Sequence, residues 1–566
     1  MLDIETTLSH KTIWLCVTKD ISSGEIKTWK QADDLWDYIK DATLIMHNGL
    51  SFDAPTLNRI WKTKIRKQQV YDTLLVSRLF EPSRENGHSL ESWGNTLGFQ
   101  KIDYKAVWQW LEGRREEYKG ESFNKPHHGL LSTYCIRDVE VTEKLFHFLE
   151  AALKEKGFSE ECVALEHDVA AIIHQQEQNG FKLDTIAATC LLTDVKGKLD
   201  RIYEQMQERW PSYEVERISA KTGKQLKPML VTFNPGSRKQ IGEKLQELGW
   251  KPKKFTETGQ AIVDECSLAS AKFPEAVLIA EYLMLQKRVA QIESWLEHVA
   301  EDGRVHGRVI TNGAVTGRMT HSSPNMAQVP NAGSAYGPEC RACWSVDEGN
   351  VLVGADASGL ELRMLAHYMK DEDYVRTVCE GSSKLGTDVH TVNQRAAGLD
   401  TRDSAKTFIY AFLYGAGDSK IGSIVGGSAK AGAALKAAFL KQTPALGRLI
   451  KAVASNAATG AVPGLDGRRI WVRSEHAALN SLLQGAGAIV MKKALVFLDT
   501  KIRANKWPVK MVANVHDEWQ METKEEYATI VGKAAVDSIR EAGEYFKLRC
   551  PLDGEYKYGK NWKDTH

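Results

Sequence analysis

Residues 350–369, NVLVGADASGLELRMLAHYM, place an acidic residue between a strand-like run and a helix-like repeat. The apolar run 351–355 leads directly into Asp356, and the residues that follow have the apolar spacing of a helix. This order predicts a strand, a turn and a helix, with the acidic side chain at the turn. A buried strand that ends at an exposed carboxylate is a common way to build a rigid site.

A second apolar run ends in acids far along the chain. Residues 509–515 lead into His516, Asp517 and Glu518, which predicts a hairpin with two acids at its tip. If the two strands are neighbours, Asp356 and Asp517 lie together, and their repulsion raises one pKa unless a cation is present. Two Mg²⁺ ions roughly 3.5–4 Å apart resolve this repulsion and serve in-line displacement at phosphorus. Either motif alone is better interpreted as a solvated turn acid.

Residues 402–415, RDSAKTFIYAFLYG, predict a helix that suits nucleoside phosphates. Arg402, Lys406, Tyr410 and Tyr414 recur every four residues and form a stripe along one helix face. Two cations one turn apart suit a triphosphate, and a flat aromatic ring further along suits a base or sugar. Alone, the pattern indicates a surface helix with two basic residues. Opposite paired carboxylates, it predicts a phosphoryl-transfer site.

A second set of acids begins at the N-terminus. Asp3 and Glu5 open the chain, Asp53 ends the segment HNGLSFD, and Tyr134 precedes Asp138 by one helical turn. Four acids from separate elements suit two divalent metals, and a phenol beside them can orient an attacking water. The alternative interpretation is a set of unrelated surface acids.

Composition sets broad limits on the molecule. A chain of 566 residues needs several hydrophobic cores. With a net charge of +1, any nucleic-acid site has to rely on a local basic surface. We expect no stretch long and apolar enough to span a bilayer, and nine scattered cysteines favour a reducing, cytoplasmic location. The CxxC pair Cys340 and Cys343 lacks further ligands nearby and predicts no zinc site.

The three C-terminal motifs resemble motifs A, B and C of the family A DNA polymerases, as DASGLELRMLAHYM, RDSAKTFIYAFLYGAG and VHDE. Residues 233–250, 316–330 and 465–488 are also similar to that family, and in particular to the replicative polymerases of T7-type phages. The resemblance implies a multidomain α/β (α+β) fold. An RNase H-like exonuclease domain, residues 1–150, is followed by a right-hand polymerase domain, residues 151–566. Thumb, palm and fingers are expected at about 185–310, about 311–375 with 465–566, and about 376–464.

The resemblance also implies a function. The chain would be a template-directed, DNA-dependent DNA polymerase that adds deoxynucleotides to a primer 3′ end in phage genome replication, with a 3′-5′ proofreading exonuclease. The implied cofactor is Mg²⁺, two ions per active site, with Mn²⁺ as a substitute. The implied partners are primer–template DNA, dNTPs, and the helicase/primase and single-strand-binding protein of a replisome, with no membrane. The expected location is the host cytoplasm.

Carried over residue by residue, the resemblance assigns the chemistry of polymerisation to the palm. Asp356 and Asp517 would ligate both metals together with the backbone carbonyl of Ala357, and Glu518 would lie beside the primer end. Lys406 would act in catalysis as well as in binding.

Further implied roles concern nucleotide and DNA contacts. Glu361 and Tyr414 would pair and crowd the sugar 2′ position, which excludes ribonucleotides. The residues expected to hold the triphosphate and base are His390, Arg402, Lys406 and Tyr410. The residues expected near the primer–template duplex are Arg318, Gln484, His516 and Arg341.

The N-terminal acids resemble the set used by proofreading exonucleases with four acids and a tyrosine. The metal ligands would be Asp3, Glu5, Asp53 and Asp138. Tyr134 would complete this catalytic set.

Three features distinguish the chain within this resemblance. Only Met1 and Leu2 precede Asp3, which predicts a short first strand. Only residues 213–231, a short and irregular stretch, stand where T7-type enzymes carry a long thumb insertion that captures thioredoxin, so we expect no thioredoxin dependence by that route. Tyr410 stands where many relatives have phenylalanine, which predicts ready incorporation of dideoxynucleotides.

Two other functions stay open at this point. A single-subunit RNA polymerase shares the palm and the basic helix, but Glu361, the acid after Asp517 and the exonuclease segment argue against it. A catalytically silent primer–template-binding replication factor is the second alternative, and the intact acids at every motif argue against that.

Overall fold

The N-terminal acids lie on a small antiparallel sheet. The computed structural model describes residues 1–566 except residues 8, 33, 104–105, 107–127 and 219–220. The sheet has the order β1-β2-β3 and consists of β1 (Leu2–Thr6), β2 (Ile13–Lys19) and β3 (Ile26–Trp29). Because Leu2 and Ile4 are buried, Asp3 and Glu5 share the other face of β1.

Helices pack around this sheet and around a parallel pair, β4 (Leu44–Met46) and β5 (Val70–Asp72). Asp72 ends β5 and caps the next helix, since its carboxylate accepts from the Leu74 N–H at 3.0 Å. The helices of this region are α1 (Leu35–Ile39), α2 (Asp53–Ile60), α3 (Thr73–Phe80), α4 (Leu90–Thr96) and α5 (His128–Lys156). The predicted domain boundary at residue 150 falls inside α5 and stays a prediction.

The middle of the chain is rich in helices, as the sequence predicts for a thumb. Its helices are α6 (Glu160–Asn179), α7 (Thr185–Arg209), α8 (Arg238–Glu247), α9 (Glu265–Ser270), α10 (Pro274–Glu297) and α11 (Gly337–Ala342). Its strands are β6 (Phe181–Leu183), β7 (Tyr213–Ile218), β8 (Gln225–Val231), β9 (Arg304–Val305), β10 (Arg308–Ile310), β11 (Thr320–Ser322) and β12 (Trp344–Ser345). They form a sheet β12-β6-β9 and the pairs β7-β8 and β10-β11.

A four-stranded antiparallel sheet carries the C-terminal acids. Its order is β16-β17-β13-β18. The strands are β13 (Asn350–Ala357), β16 (Lys510–Val515), β17 (Glu518–Lys524) and β18 (Gly554–Gly559). β13 is therefore a central strand paired on both sides, and residues 351–355 within it are buried.

Helices surround that sheet, and those between residues 376 and 464 fall in the segment predicted as the fingers, which stays a prediction. The surrounding helices are α12 (Leu360–Met369), α13 (Glu372–Glu380), α14 (Val389–Ala397), α15 (Arg402–Leu413), α16 (Asp418–Ile424), α17 (Ala429–Gln442), α18 (Pro444–Ala457), α19 (Ala478–Asn505) and α20 (Ala528–Tyr545). The pair β14 (Ala461–Pro463) and β15 (Arg469–Trp471) precedes α19. The largest hydrophobic core joins α6, β13, α12, α15, α19 and α20.

One helix contradicts the expectation that no stretch is long and apolar enough to span a bilayer. Among the described residues, Glu475–Asn505 meets that test with a mean hydropathy of 1.4 over its most apolar window. However, 78% of that window is buried inside the protein. The expectation was therefore wrong for this helix. Its apolar composition has a second explanation, because a helix at the centre of a large core is also apolar on most faces.

A buried ion-pair network connects α6 to the C-terminal half. Glu166 of α6 accepts from Arg468 at 2.6 Å and from Lys492 of α19 at 2.5 Å. Arg468 also pairs with Asp466 at 2.6 Å. All four side chains are at most 3% exposed, so each charge depends on its partners.

Candidate active sites

The carboxylates of Asp356 and Asp517 meet at one end of the four-stranded sheet. In the antiparallel pairing of β13 with β17, Asp356 stands opposite Glu518. Asp517 lies in the turn between β16 and β17, where the Ala357 N–H donates to its carbonyl oxygen at 3.1 Å. His516 in the same turn has a φ of 57°, which few non-glycine residues adopt. The structure thus brings together two acids from distant parts of the sequence.

These acids are electrostatically prepared for a cation. Burial raises the pKa of Asp356 to about 7, and the charges of Asp517 and Glu518 add to the effect. Burial also raises the pKa of Asp517, although the Arg318 charge opposes this. A divalent cation can replace protons that carboxylates crowded together in this way hold so tightly. The donor set, with Ala357 directly after Asp356, therefore fits the predicted Mg²⁺ ions.

Glu518 sits in a closed polar pocket rather than at an open edge. One oxygen, Oε1, accepts from Trp562 and Gln520 at 2.5 Å each and lies 2.9 Å from Nε2 of His566. Burial raises the pKa of Glu518, but the hydrogen bonds and the charge of Arg341 outweigh it, so the net pKa is lowered. Trp562 and His566 could not be predicted as partners of Glu518, because only tertiary packing brings them to it, and Gln520 lies two residues along the same strand.

The basic stripe lies on α15, as predicted. Thr401 caps the helix by accepting from the Ser404 N–H at 3.1 Å. Arg402 pairs with Asp388 at 2.9 Å, and Lys406 is exposed. The Asp388 carboxylate holds the guanidinium at the start of the helix, where the predicted phosphate contacts would form.

Aromatic rings continue the stripe toward the carboxylates. The ring centroid of Tyr410 lies 6.3 Å from that of His390 on α14 and 6.3 Å from that of Tyr414. Burial raises the pKa of Tyr410, and the charges of Glu361 and Asp517 contribute, so its ring lies near the acidic site. Burial also lowers the pKa of His390.

Glu361 of α12 contacts the C-terminal end of the basic helix. Its Oε2 accepts from the Tyr414 hydroxyl at 2.7 Å, and its Oε1 pairs with Arg318 at 3.1 Å. The pairing predicted for Glu361 and Tyr414 is therefore present in the structure. Arg318, predicted near the duplex, makes an ion pair within the same cluster.

The other side chains predicted to contact DNA occupy different environments. Gln484 is half-buried on α19, and burial lowers the pKa of His516 beside Asp517. Arg341 is only 6% exposed, donates from Nε to the Pro330 carbonyl at 3.0 Å, and stacks 4.6 Å above the Trp562 ring. The Arg341 side chain is therefore largely covered by protein atoms, and its DNA contact stays a prediction.

The N-terminal acids converge at a second site. Asp3 and Glu5 come from β1, Asp53 is the first residue of α2, and Tyr134 and Asp138 lie one turn apart on α5. The Asp53 carboxylate accepts from the Ile4 N–H at 3.2 Å, which fixes it against the first strand.

Burial, and after it mutual repulsion, raises the pKa values of the acids at this second site. Burial and the Asp138 charge raise the pKa of Asp3 to about 7. Burial, with the Asp3 charge, raises the pKa values of Glu5 and Asp53 well above their ordinary range. Burial and the Asp138 charge raise the pKa of Tyr134 to about 12. Such a set fits divalent cations for the same reason as the first site.

Two neighbours of these acids were not foreseen from the sequence. Lys101 reaches Asp138 at 2.6 Å and lies 4.9 Å from the Tyr134 ring centroid. Cys135 places its Sγ 3.2 Å from Oδ2 of Asp3. Lys101 belongs to a stretch without a recognisable motif. Cys135 directly follows Tyr134, and this adjacency was the only sequence feature that could have placed Cys135 near the acids.

Paired carboxylates opposite a basic helix define an enzyme of phosphoryl transfer. The family model for DNA polymerase family A matches residues 199–564. The DNA-directed DNA polymerase of Enterobacteria phage T3 is 35% identical, over 100% of this chain and 99% of that protein. The DNA-directed DNA polymerase of Escherichia phage T7 is also 35% identical, over 92% of each. The chain belongs to DNA polymerase family A.

The fold agrees with that assignment. The POL domain of Pol1 from M. smegmatis, solved in complex with DNA primer-template and dNTP, superposes with a TM-score of 0.79. The match covers 100% of this chain and 96% of that chain at 20% identity. The predicted multidomain fold of mixed helices and sheets is confirmed.

Proposed function

We propose that this family A DNA polymerase extends a primer 3′ end on a DNA template at Asp356 and Asp517, and shortens 3′ ends at the N-terminal acids. The observation that carries the proposal is the meeting of Asp356 and Asp517 beneath α15. In-line transfer of a nucleotidyl group needs charge neutralisation on both sides of the phosphorus, and these two elements supply opposite charges.

In the polymerase site, Asp356, Asp517 and the carbonyl of Ala357 would hold two Mg²⁺ ions. When bound, these ions activate the attacking 3′ oxygen and stabilise the leaving oxygens. Glu518 would lie beside these ions, near the primer end. These residues position the reacting groups before the transfer occurs.

The helix α15 would bind the incoming dNTP. Arg402 and Lys406 neutralise the triphosphate, and His390 of the neighbouring helix donates a hydrogen bond to it. Tyr410 stacks against the nucleotide, and the hydrogen-bonded pair Glu361 and Tyr414 crowds the sugar 2′ position. A ribose 2′ hydroxyl would collide with that pair, which favours deoxynucleotides.

In the exonuclease site, the metal ligands would be Asp3, Glu5, Asp53 and Asp138. Tyr134 orients the attacking water, and its phenol stays protonated at neutral pH because burial raises its pKa to about 12. The bound cations supply the charge that stabilises the phosphoryl transition state. A primer 3′ end that leaves the polymerase site would be shortened here.

The similarity to phage DNA polymerases supports further proposals about substrates, cofactor, location and partners. We propose primer–template DNA and dNTPs as the substrates, Mg²⁺ as the cofactor with Mn²⁺ as a substitute, and the host cytoplasm as the location. A replicative role further predicts contacts with a helicase/primase and a single-strand-binding protein. Arg318, Gln484 and His516 are the proposed contacts with the duplex.

Primer extension on a defined template tests the proposal with two matched variants. Asp356→Asn should lower extension roughly 10³-fold or more, because the metal ligand and its charge are lost, while 3′-end degradation persists. Asp3→Asn should lose 3′-end degradation, which is measured with nucleotides omitted. Its primer extension in the presence of nucleotides should persist. Extension by Asp356→Asn at the wild-type rate would refute the metal assignment.

The same assay separates the alternatives. Equal use of ribonucleotides and deoxynucleotides would favour an RNA polymerase. DNA binding without extension in the presence of Mg²⁺ would favour a silent replication factor. Loss of both activities in EDTA, and their return with Mg²⁺, is the expected result.

A further inference from the structure

Cys135 directs its thiol at the acids of the exonuclease site. The residue is 0% exposed on α5. Its Sγ lies 3.2 Å from Oδ2 of Asp3 and 3.6 Å from the Asp3 carbonyl oxygen. Ligand atoms of Asp3, Glu5 and Cys135 all lie within 4.8 Å of one another. A cation held by Asp3 and Glu5 therefore has a sulfur atom within reach.

Asp138 independently indicates that this space is built for a ligand. Its side chain is buried, with 4% exposure, and Oδ1 has no hydrogen-bond partner among the described residues. Its charge raises the pKa of both Asp3 and Glu5, so it lies close to them, while its other oxygen pairs with Lys101. An unpaired buried carboxylate oxygen is costly unless something binds it.

We propose that this site binds thiophilic divalent cations, represented by Zn²⁺, Cd²⁺ and Co²⁺, through Sγ of Cys135 together with Asp3 and Glu5. On binding, the S–H bond breaks, a metal–sulfur bond forms, and the proton passes to solvent without any change of oxidation state. The proposal rests on the proposed exonuclease function only in sharing its carboxylates.

The same site discriminates between metals by ligand chemistry. Mg²⁺ prefers oxygen ligands and leaves the thiol protonated, hydrogen-bonded to Asp3. A thiophilic cation gains an additional strong ligand, so it should bind more tightly than Mg²⁺ and displace it. The identity of the metal would thereby regulate shortening of the primer end.

A Co²⁺ titration of the full-length protein tests the sulfur ligand directly. A thiolate bound to Co²⁺ gives a near-ultraviolet charge-transfer absorption that carboxylate ligands do not give. We expect this absorption in the wild type and its loss in Cys135→Ser, which retains a hydrogen-bond donor toward Asp3. Cys162→Ser is the matched control, because Cys162 is also buried but contacts the Ser159 carbonyl at 3.0 Å on α6.

Equal charge-transfer absorption in the wild type and in Cys135→Ser would overturn the proposal. A crystal of the wild-type protein soaked in Zn²⁺ provides a test without any variant. Anomalous scattering should place zinc about 2.3 Å from Sγ of Cys135, and zinc bound by carboxylates alone would overturn the proposal.

The outcomes also separate this inference from the exonuclease proposal. Degradation of 3′ ends with Mg²⁺, without any thiolate absorption, would leave the exonuclease standing and remove the sulfur ligand. A thiolate absorption without 3′-end degradation would do the opposite.

Discussion

The acid Asp3 shows how a single half-buried carboxylate ties stability to pH and metal. Burial and the Asp138 charge raise its pKa from 3.8 to about 7, so the folded chain holds a proton that the unfolded chain releases. The stability due to this proton is fully present below pH 3.8 and is lost as the pH rises through about 7. Above that range Asp3 is ionised, and without a metal its carboxylate repels the neighbouring acids.

Replacing Asp3 by Asn should relieve that repulsion. In EDTA at about pH 8 we expect Asp3→Asn to raise the free energy of unfolding by on the order of 1 kcal/mol. Mg²⁺ should then stabilise the wild type more than the variant, because it binds only the folded site. Thermal unfolding at about pH 5 and pH 8, with Asp37→Asn as an exposed-acid control, measures both effects. A lower melting temperature for Asp3→Asn in EDTA at the higher pH would contradict this account.

Tyr410 should set discrimination against dideoxynucleotides. Its hydroxyl can replace the contact that is lost when a nucleotide lacks its 3′ hydroxyl. We expect Tyr410→Phe to disfavour dideoxynucleotides roughly 5–30-fold more than the wild type does, which corresponds to the loss of about 1–2 kcal/mol. Competition between each dideoxynucleotide and its dNTP in primer extension gives the ratio. Tyr368→Phe is the control, because its hydroxyl is also buried and has no hydrogen-bond partner among the described residues. An unchanged ratio in Tyr410→Phe would rule the idea out.

Individual residues differ in how well the sequence predicts them. Asp356 and Asp517 follow apolar runs that end in acids, so their placement at strand ends could be predicted, and the structure brings them together. Lys101 and Cys135 could not be assigned, because their importance comes only from tertiary contact with the acids. The closed pocket around Glu518 is unpredictable for the same reason.

At the scale of elements, helices were easier to foresee than the β7-β8 hairpin. The repeat in residues 402–415 marks α15 directly, and Gly415 follows its end with a φ of 73°. The segment 213–231 was expected to be irregular, partly because of Pro228. The structure instead forms two strands with an irregular register between Val215 and Arg217, and Pro228 lies at this bulge, where a missing donor is tolerated.

The length of the β7-β8 segment leads to a prediction about processivity, the number of nucleotides added in one encounter with the template. We predict that residues 213–231 are too short to serve as a thioredoxin-capturing insertion, and we therefore expect added thioredoxin to leave product length unchanged. Primer extension under single-encounter conditions, with and without thioredoxin, measures this, and a pull-down checks for binding. A T7-type polymerase serves as the positive control. A large gain in product length for this protein would contradict the prediction.

At the scale of the whole molecule, the network around Glu166 should hold α6 to the C-terminal half. Glu166→Gln leaves the buried cations Arg468 and Lys492 without their acid, which should lower the free energy of unfolding by about 3 kcal/mol. Denaturant unfolding measures the loss, and Glu160→Gln on the exposed surface of the same helix is the control. A loss no larger than that of the control would show that the network is dispensable.

Other hydrogen bonds join the N-terminal region to later parts of the chain. Trp471 donates from its indole to the Phe80 carbonyl at 2.9 Å, and Asn312 donates to the Leu75 carbonyl at 3.1 Å. Sequence patterns predicted the order of the parts along the chain but not these contacts. Hydropathy alone was also insufficient for Glu475–Asn505, because the same apolar composition suits a bilayer and a large core.

The placement of β13 between β17 and β18 has a consequence for synthesis on the ribosome. The strand that ends in Asp356 is translated long before residues 518–524 and 554–559, which pair with its two edges. Until residue 559 has left the exit tunnel, this strand lacks a neighbour and the sheet is incomplete. Nascent chains should therefore expose two unpaired strand edges for most of translation, and enzymatic competence should appear abruptly, only after the final strand emerges.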